Sequence, residues 1–129
     1  MNSNIATQWV SALRGGDYTQ CKKFLRIFTH RDHAKKHDAL GVLCCLYEDG
    51  TGQQALRQSH TESADAGVLP DCVISWATML TSHGQIVIRD GDGKRIVTSI
   101  VELNDGTGPL GKLDFSQLAD VIEQYYISL

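Results

Sequence analysis

From Ala39 to Tyr47 the chain reads ALGVLCCLY, and apolar side chains occupy nearly every face that a helix would have there. Leu40, Leu43, Cys44 and Tyr47 recur at i, i+3, i+4 and i+7, the spacing of one helical face. Ala39, Val42 and Leu46 form a second row, with Cys45 between the two. A helix that is apolar almost all round belongs inside a core. Asp38 before it suits an N-cap, and Gly50 after Glu48-Asp49 suits the position just past its end.

The other elements are read against that helix. Ile5, Ala6, Trp9 and Leu13 make a stripe for a first helix that Ser3 or Asn4 can cap and Gly15-Gly16 can end. From Cys21 to Lys36 apolar and basic residues are mixed without a clean period, and the segment reads as a helix or as irregular chain. Asp49 to Gly67 is polar and reads mostly as loop, with room for a helical turn or two between Gln53 and Gln58. Leu69-Pro70 opens a further helix, with Val73, Trp76, Ala77 and Leu80 on one face.

Gln85–Arg89 and Arg95–Val97 are β-branched runs around Asp90-Gly91-Asp92-Gly93, which predicts a hairpin leaning on the helices. Ser99 with Glu102 has capping-box spacing for a short turn ending at Asn104-Asp105-Gly106, and Asp114 with Gln117 has it again. Phe115, Leu118, Ala119, Ile122, Tyr125, Tyr126 and Leu129 then trace a last amphipathic helix. The fold class expected is α+β: a mainly helical single domain over residues 1–129, with four or so helices, a buried central helix and one β-hairpin.

Composition adds limits rather than identity. The 129 residues, 42% hydrophobic and 21% charged, suit one globular domain. No apolar run approaches the ~18 residues of a membrane helix, and the N-terminal stretch lacks signal-peptide order. A cytoplasmic protein is expected. Cys21, Cys44, Cys45 and Cys72 have no C-x-x-C spacing, and neighbours on a helix point apart, so free thiols are expected.

The net charge of −3 conceals an asymmetry: residues 1–36 carry +5, residues 37–65 carry −4 and residues 66–129 carry −4. Lys22, Lys23, Arg26, Arg31, Lys35 and Lys36, with Arg14 upstream, are therefore the candidate binding residues. They suit an acidic protein surface, a nucleotide or nucleic acid; Phe24 and Phe28 could stack on bases or join the core.

Other chemistry finds less support. His30, His33 and His37, with Cys21 or Asp38, offer zinc-type donors, but the spacing fits no standard site and Lys35 and Lys36 would repel a cation. Asp90-Gly91-Asp92-Gly93 fails as a calcium loop, because Lys94, Arg95 and Val101 fall where ligands or glycine are required. There is no G-x-S-x-G elbow and no phosphate loop. Cys21, beside Lys22 and Lys23, is the one thiol whose neighbours favour a thiolate. No cofactor, no metal and no catalytic residue is expected.

One resemblance joins several islands. Trp9 with Ala12-Leu13-Arg14, Leu40-Gly41-Val42-Leu43-Cys44, Leu69-Pro70 with Val73 and Trp76, Leu103-Asn104-Asp105, and Leu118-Ala119-Asp120 with Ile122-Glu123 occur in that order. Together they resemble a family of small uncharacterised proteins of bacteriophages and prophages. The family carries a Cys-Cys pair just before Leu-Gly-Val-Leu-Cys; here Asp38 and Ala39 stand there, and Cys45 is extra. The resemblance implies a non-enzymatic accessory protein that binds and inhibits a host factor, such as a bacterial defence component. The alternative is a binder that sequesters a small anionic ligand such as a nucleotide signal.

Overall fold

The computed structural model describes residues 1–29, 34–56 and 63–129. In chain order the elements are α1 (Ser3–Arg14), β1 (Phe24–Thr29), β2 (Ala34–His37), α2 (Ala39–Thr51), β3 (Ser63–Ala66), α3 (Asp71–Ala77), β4 (Gln85–Arg89), β5 (Arg95–Ser99), α4 (Ile100–Asp105) and α5 (Phe115–Tyr125), then a 3₁₀ turn, Tyr126–Ser128. The domain is α+β and mainly helical, and α2 is its centre as the periodicity predicts. Every residue from Ala39 to Cys44 is buried, as is Tyr47. Asp38 is the N-cap, its Oδ1 accepting from the Gly41 amide at 2.6 Å. The helix runs past Gly50 and ends at Gly52, whose φ of 70° closes it in the left-handed conformation.

Around α2 the other helices pack by their apolar faces. On α1, Ile5, Ala6, Trp9, Val10 and Leu13 are buried, and the cap is Asn2 rather than Ser3 or Asn4. Trp9 is fully buried and its indole N–H donates to the Ala39 carbonyl at 2.8 Å, which fixes α1 to the first turn of α2. Helix α5 covers α1 from the other side, with Phe115, Leu118, Ala119 and Ile122 buried and the Asp114–Gln117 capping box formed in both directions. Leu43 is wholly enclosed. Leu43→Ala is expected to cost about 2–5 kcal/mol through the cavity it leaves; urea denaturation measures this, and a loss below about 0.5 kcal/mol would contradict its enclosure.

The strands need correction in two places. The described residues of the mixed segment 21–36 are not helical: β1 pairs antiparallel with β2, which runs on to His37, and Arg26 stands opposite His37, Ile27 opposite Lys36 and Phe28 opposite Lys35. The stretch read as loop contributes β3, so a three-stranded sheet of order β2-β1-β3 exists beside the expected hairpin. The register between β1 and β3 shifts between Phe24 and Ile27, an irregularity that breaks the period of two on which strand recognition depends. Residues 53–56 are not helical, but Leu56 is buried, held by the Glu48 carboxylate accepting from the Ala55 and Leu56 amides at 2.8 and 2.7 Å.

The hairpin β4–β5 forms as expected, with Asp90 Oδ1 accepting from the Asp92 and Lys94 amides across its turn. Helix α3 is shorter than its apolar pattern, ending at Ala77, so Leu80 is 72% exposed instead of packed. The last helix also stops early, at Tyr125. Leu129 is nevertheless buried through the 3₁₀ turn, and its carbonyl accepts from the Leu80 amide at 2.6 Å. No described helix is long and apolar enough to cross a membrane.

Candidate binding surface

The chain ahead of β1 is tied down before it presents its lysines. His37 donates its amide to the Thr19 carbonyl at 2.9 Å, and its carbonyl accepts from Cys21 N at 2.8 Å. Residues 19–21 thus lie along the end of the edge strand β2. Asn104, buried on α4, fastens the same segment from below. Its Nδ2 donates to the Cys21 carbonyl at 2.8 Å and to Asp105 Oδ1 at 2.9 Å. Its Oδ1 accepts from Gln20 Nε2 at 3.0 Å and from the Ala39 amide at 3.2 Å. One side chain therefore joins the Gln20-Cys21 segment, the start of α2 and α4. The sequence shows Asn104 only as a residue near a helix end, with no signal that it is buried.

Lys22 and Lys23 follow, both exposed. Lys23 has a φ of 71°, a conformation that costs a non-glycine residue roughly 1–2 kcal/mol. Its amide donates to Asp105 Oδ1 at 3.0 Å, and a Cβ at Gly67 would collide with its carbonyl. The turn is held in a strained shape from two sides, so these two cations stand on a rigid support.

Beyond the turn, the pleat separates the basic residues. Arg26 and Lys35 share a face with Phe28 and His37, whereas Lys36 lies with Ile27 on the other face. Lys35 is exposed, and Arg26 and Lys36 are half-buried. Arg31 lies outside the described residues, as do His30 and His33 of the histidine cluster. Arg14 is placed elsewhere: on α1 its guanidinium meets Asp120 at 2.6 Å and Glu123 at 2.8 Å on α5. Those hydrogen bonds raise the Arg14 pKa and lower that of Glu123. No ion pair joins Lys22, Lys23, Lys35 or Lys36 to a carboxylate among the described residues.

The titratable groups behind this surface are tuned away from reactivity. Burial pushes the Cys21 thiol up to about 12, with Asp38 and Asp105 adding to it and Lys36 opposing. The thiolate that Lys22 and Lys23 suggested is thus disfavoured. Cys44 is driven up by burial as well, and Cys45 to about 11. Burial also raises Tyr18 to about 12; its ring meets His37 edge-on at 5.4 Å. His37 is buried with Nδ1 unpartnered, and burial lowers it to about 4. All four cysteines are free thiols, Cys72 being exposed. Among the described residues no group of three or more His, Cys, Asp or Glu could hold a metal.

Two clefts lie away from the lysines. One, of about 180 Å³, runs between α1 and α5 past Thr7, Arg14 and Tyr126; the other, of about 160 Å³, lies at the base of the hairpin beside Glu102. Both are below the ~300–1,000 Å³ of small-molecule sites.

Fold and surface together define a small α+β domain that carries cations on a strand edge and the turn before it. The chain belongs to the family described as Domain of unknown function (DUF8296), whose model matches residues 1–126. No curated protein and no solved structure matches it.

Proposed function

We propose that this protein is a non-enzymatic binder that docks on the acidic surface of another protein through Lys22, Lys23, Arg26, Lys35 and Lys36. The observation that carries this reading is the set of lysines without carboxylate partners among the described residues, set on a braced turn and on edge strand β2. An edge-on approach meets Lys35 on one side of the strand and Lys36 on the other, so the pleat does not divide the surface for such a partner. Lysines on a strand edge that line neither cleft suit a protein surface better than a small ligand, which needs a concavity. The resemblance to bacteriophage and prophage proteins makes the partner a host factor in the bacterial cytoplasm, a defence component among them, and makes binding its inhibition.

Charge of this kind acts chiefly on encounter and is screened by salt. Affinity capture from bacterial lysate identifies the partner, and association kinetics at two ionic strengths test the surface. The double variant Lys35→Glu/Lys36→Glu is expected to associate roughly tenfold more slowly at low salt, with the difference shrinking at high salt and the circular dichroism unchanged. Equal on-rates would show that these lysines merely keep an edge strand from pairing. A thermal shift with nucleotides, and none with acidic protein, would favour the small-ligand alternative.

A further inference from the structure

The hairpin has an edge of its own, and its hydrogen-bond phase is fixed at both ends. Asp90 donates to the Lys94 carbonyl at 3.0 Å, and Ile100 donates to the Gly84 carbonyl at 3.0 Å. Alternation between those two points makes 86/98 and 88/96 the bonded pairs. The main-chain groups of Val87, Arg89, Arg95 and Val97 therefore point outward. On β4 the outward amide of Gln85 is occupied by Thr81 Oγ1 at 2.8 Å. On β5 the outward groups of Val97 have no partner among the described residues, and Val97 is 57% exposed.

The side chains along that edge are self-complementary. Arg95 stands directly across from Arg89, a like-charge pair that costs stability unless an anion lies near. Neither makes an ion pair among the described residues. Two residues along is Val97, and two further is Ser99, beside the cleft that holds the Glu102 carboxylate. Glu102 Oε2 accepts from Thr98 Oγ1 at 3.1 Å, and its other oxygen has no partner among the described residues. Read from one end, the edge is Arg95, Val97 and Ser99, with Glu102 of α4 beside Ser99, its amide donating to Ser99 Oγ at 3.2 Å; read antiparallel, the cation and the carboxylate exchange ends.

We propose that β5 is a self-association edge, pairing antiparallel with β5 of a second copy about a two-fold axis through Val97. Val97 exchanges both main-chain hydrogen bonds with its counterpart, and the two hairpins become one four-stranded sheet. Arg95 of each copy lies opposite Ser99 of the other and reaches its Glu102. The arrangement is isologous and closed, as a two-fold dimer requires. It uses neither the lysines nor the partner of the proposed function.

Sedimentation equilibrium of the full chain from micromolar to millimolar concentration tests it, with circular dichroism as the folding control. The parent is expected to dimerise. Arg95→Glu and Glu102→Arg are each expected to weaken the dimer by roughly tenfold or more, and the double exchange to restore it. Val97→Lys, which sets two ammonium groups against each other on the axis, is expected to abolish it and stands in for Glu102→Arg should that variant not fold. A parent monomeric at millimolar concentration overturns the proposal. So do single variants that dimerise like the parent, or a folded double variant that remains monomeric.

Discussion

Gly41→Ala should destabilise the fold by several kcal/mol, although alanine is the better helix former. A Cβ at position 41 would overlap the carbonyl oxygen of Leu25 and press on its carbonyl carbon, both backbone atoms of β1. No rotamer relieves that clash; α2 or β1 must move. The same few residues carry the Asp38 amide bond to the Leu25 carbonyl at 3.2 Å and the Asp38 cap on Gly41. Separation would break both contacts and open the core at Leu25 and Leu40, each nearly inaccessible. Overpacking against backbone on this scale costs about 3 kcal/mol or more, while the gain in helix propensity returns only about 1 kcal/mol. Thermal unfolding followed by circular dichroism measures it; a melting temperature within a few degrees of the parent would mean that the strand and helix do not touch there.

The second large effect is a pair of opposite pH slopes that cancel in the parent. Burial raises the Asp38 carboxyl to about 7, Asp105 adding to it while amide hydrogen bonds from Gly41 and Leu40 oppose. Its proton is thus held more tightly in the folded chain, and stability falls as pH rises from about 4 to about 7. His37 behaves in reverse: burial first, then Arg26 and Lys35, lower it to about 4 against an ordinary value of 6.5. The unfolded chain then binds that proton more readily, and stability grows over the window from about pH 4 to about pH 6.5. Each swing is on the order of 3–4 kcal/mol, so the parent should vary little across the shared range. Asp38→Asn, which keeps an acceptor for the Gly41 amide, should become more stable as pH rises. His37→Gln should become less stable over the same interval. Urea midpoints measured from about pH 4 to about pH 8 decide it; two variants with flat profiles would refute the opposition.

The helical part of the fold was legible because its apolar rows repeat at helical spacing and its caps are local in sequence. The sheet was not. Leu25 is buried and Ile27 half-buried on one side of β1, while Phe24 and Phe28 are half-buried on the other, so neither face reads as polar. Strand β3 is Ser-Ala-Asp-Ala, none of which favours a strand; its pairing is set by β1, far away in sequence. The lysines were legible as charge, but adjacent residues on a strand point to opposite faces, which a helical reading of 21–36 conceals. Arg14 looked like part of the same run until its carboxylates appeared on α5. Asn104 was invisible because three of its four hydrogen-bond partners, Gln20, Cys21 and Ala39, lie 65 or more residues away and only the fold brings them to it.

Pairing α1 with α5 has a consequence for the order of folding. Arg14 reaches its carboxylate partner Asp120 across a separation of 106 residues, and Asn104 reaches back 83 residues to Cys21. Contacts this distant repay their loop-closure entropy only once both ends are present. As the chain leaves the ribosome, α1 emerges first but must wait for α5 to cover it. The N-terminal half alone lacks the α5 cover that buries the outer face of α1. During that interval the faces of α1 and α2 that will form the core remain uncovered, and the nascent chain is most prone then to aggregation or to capture by a chaperone.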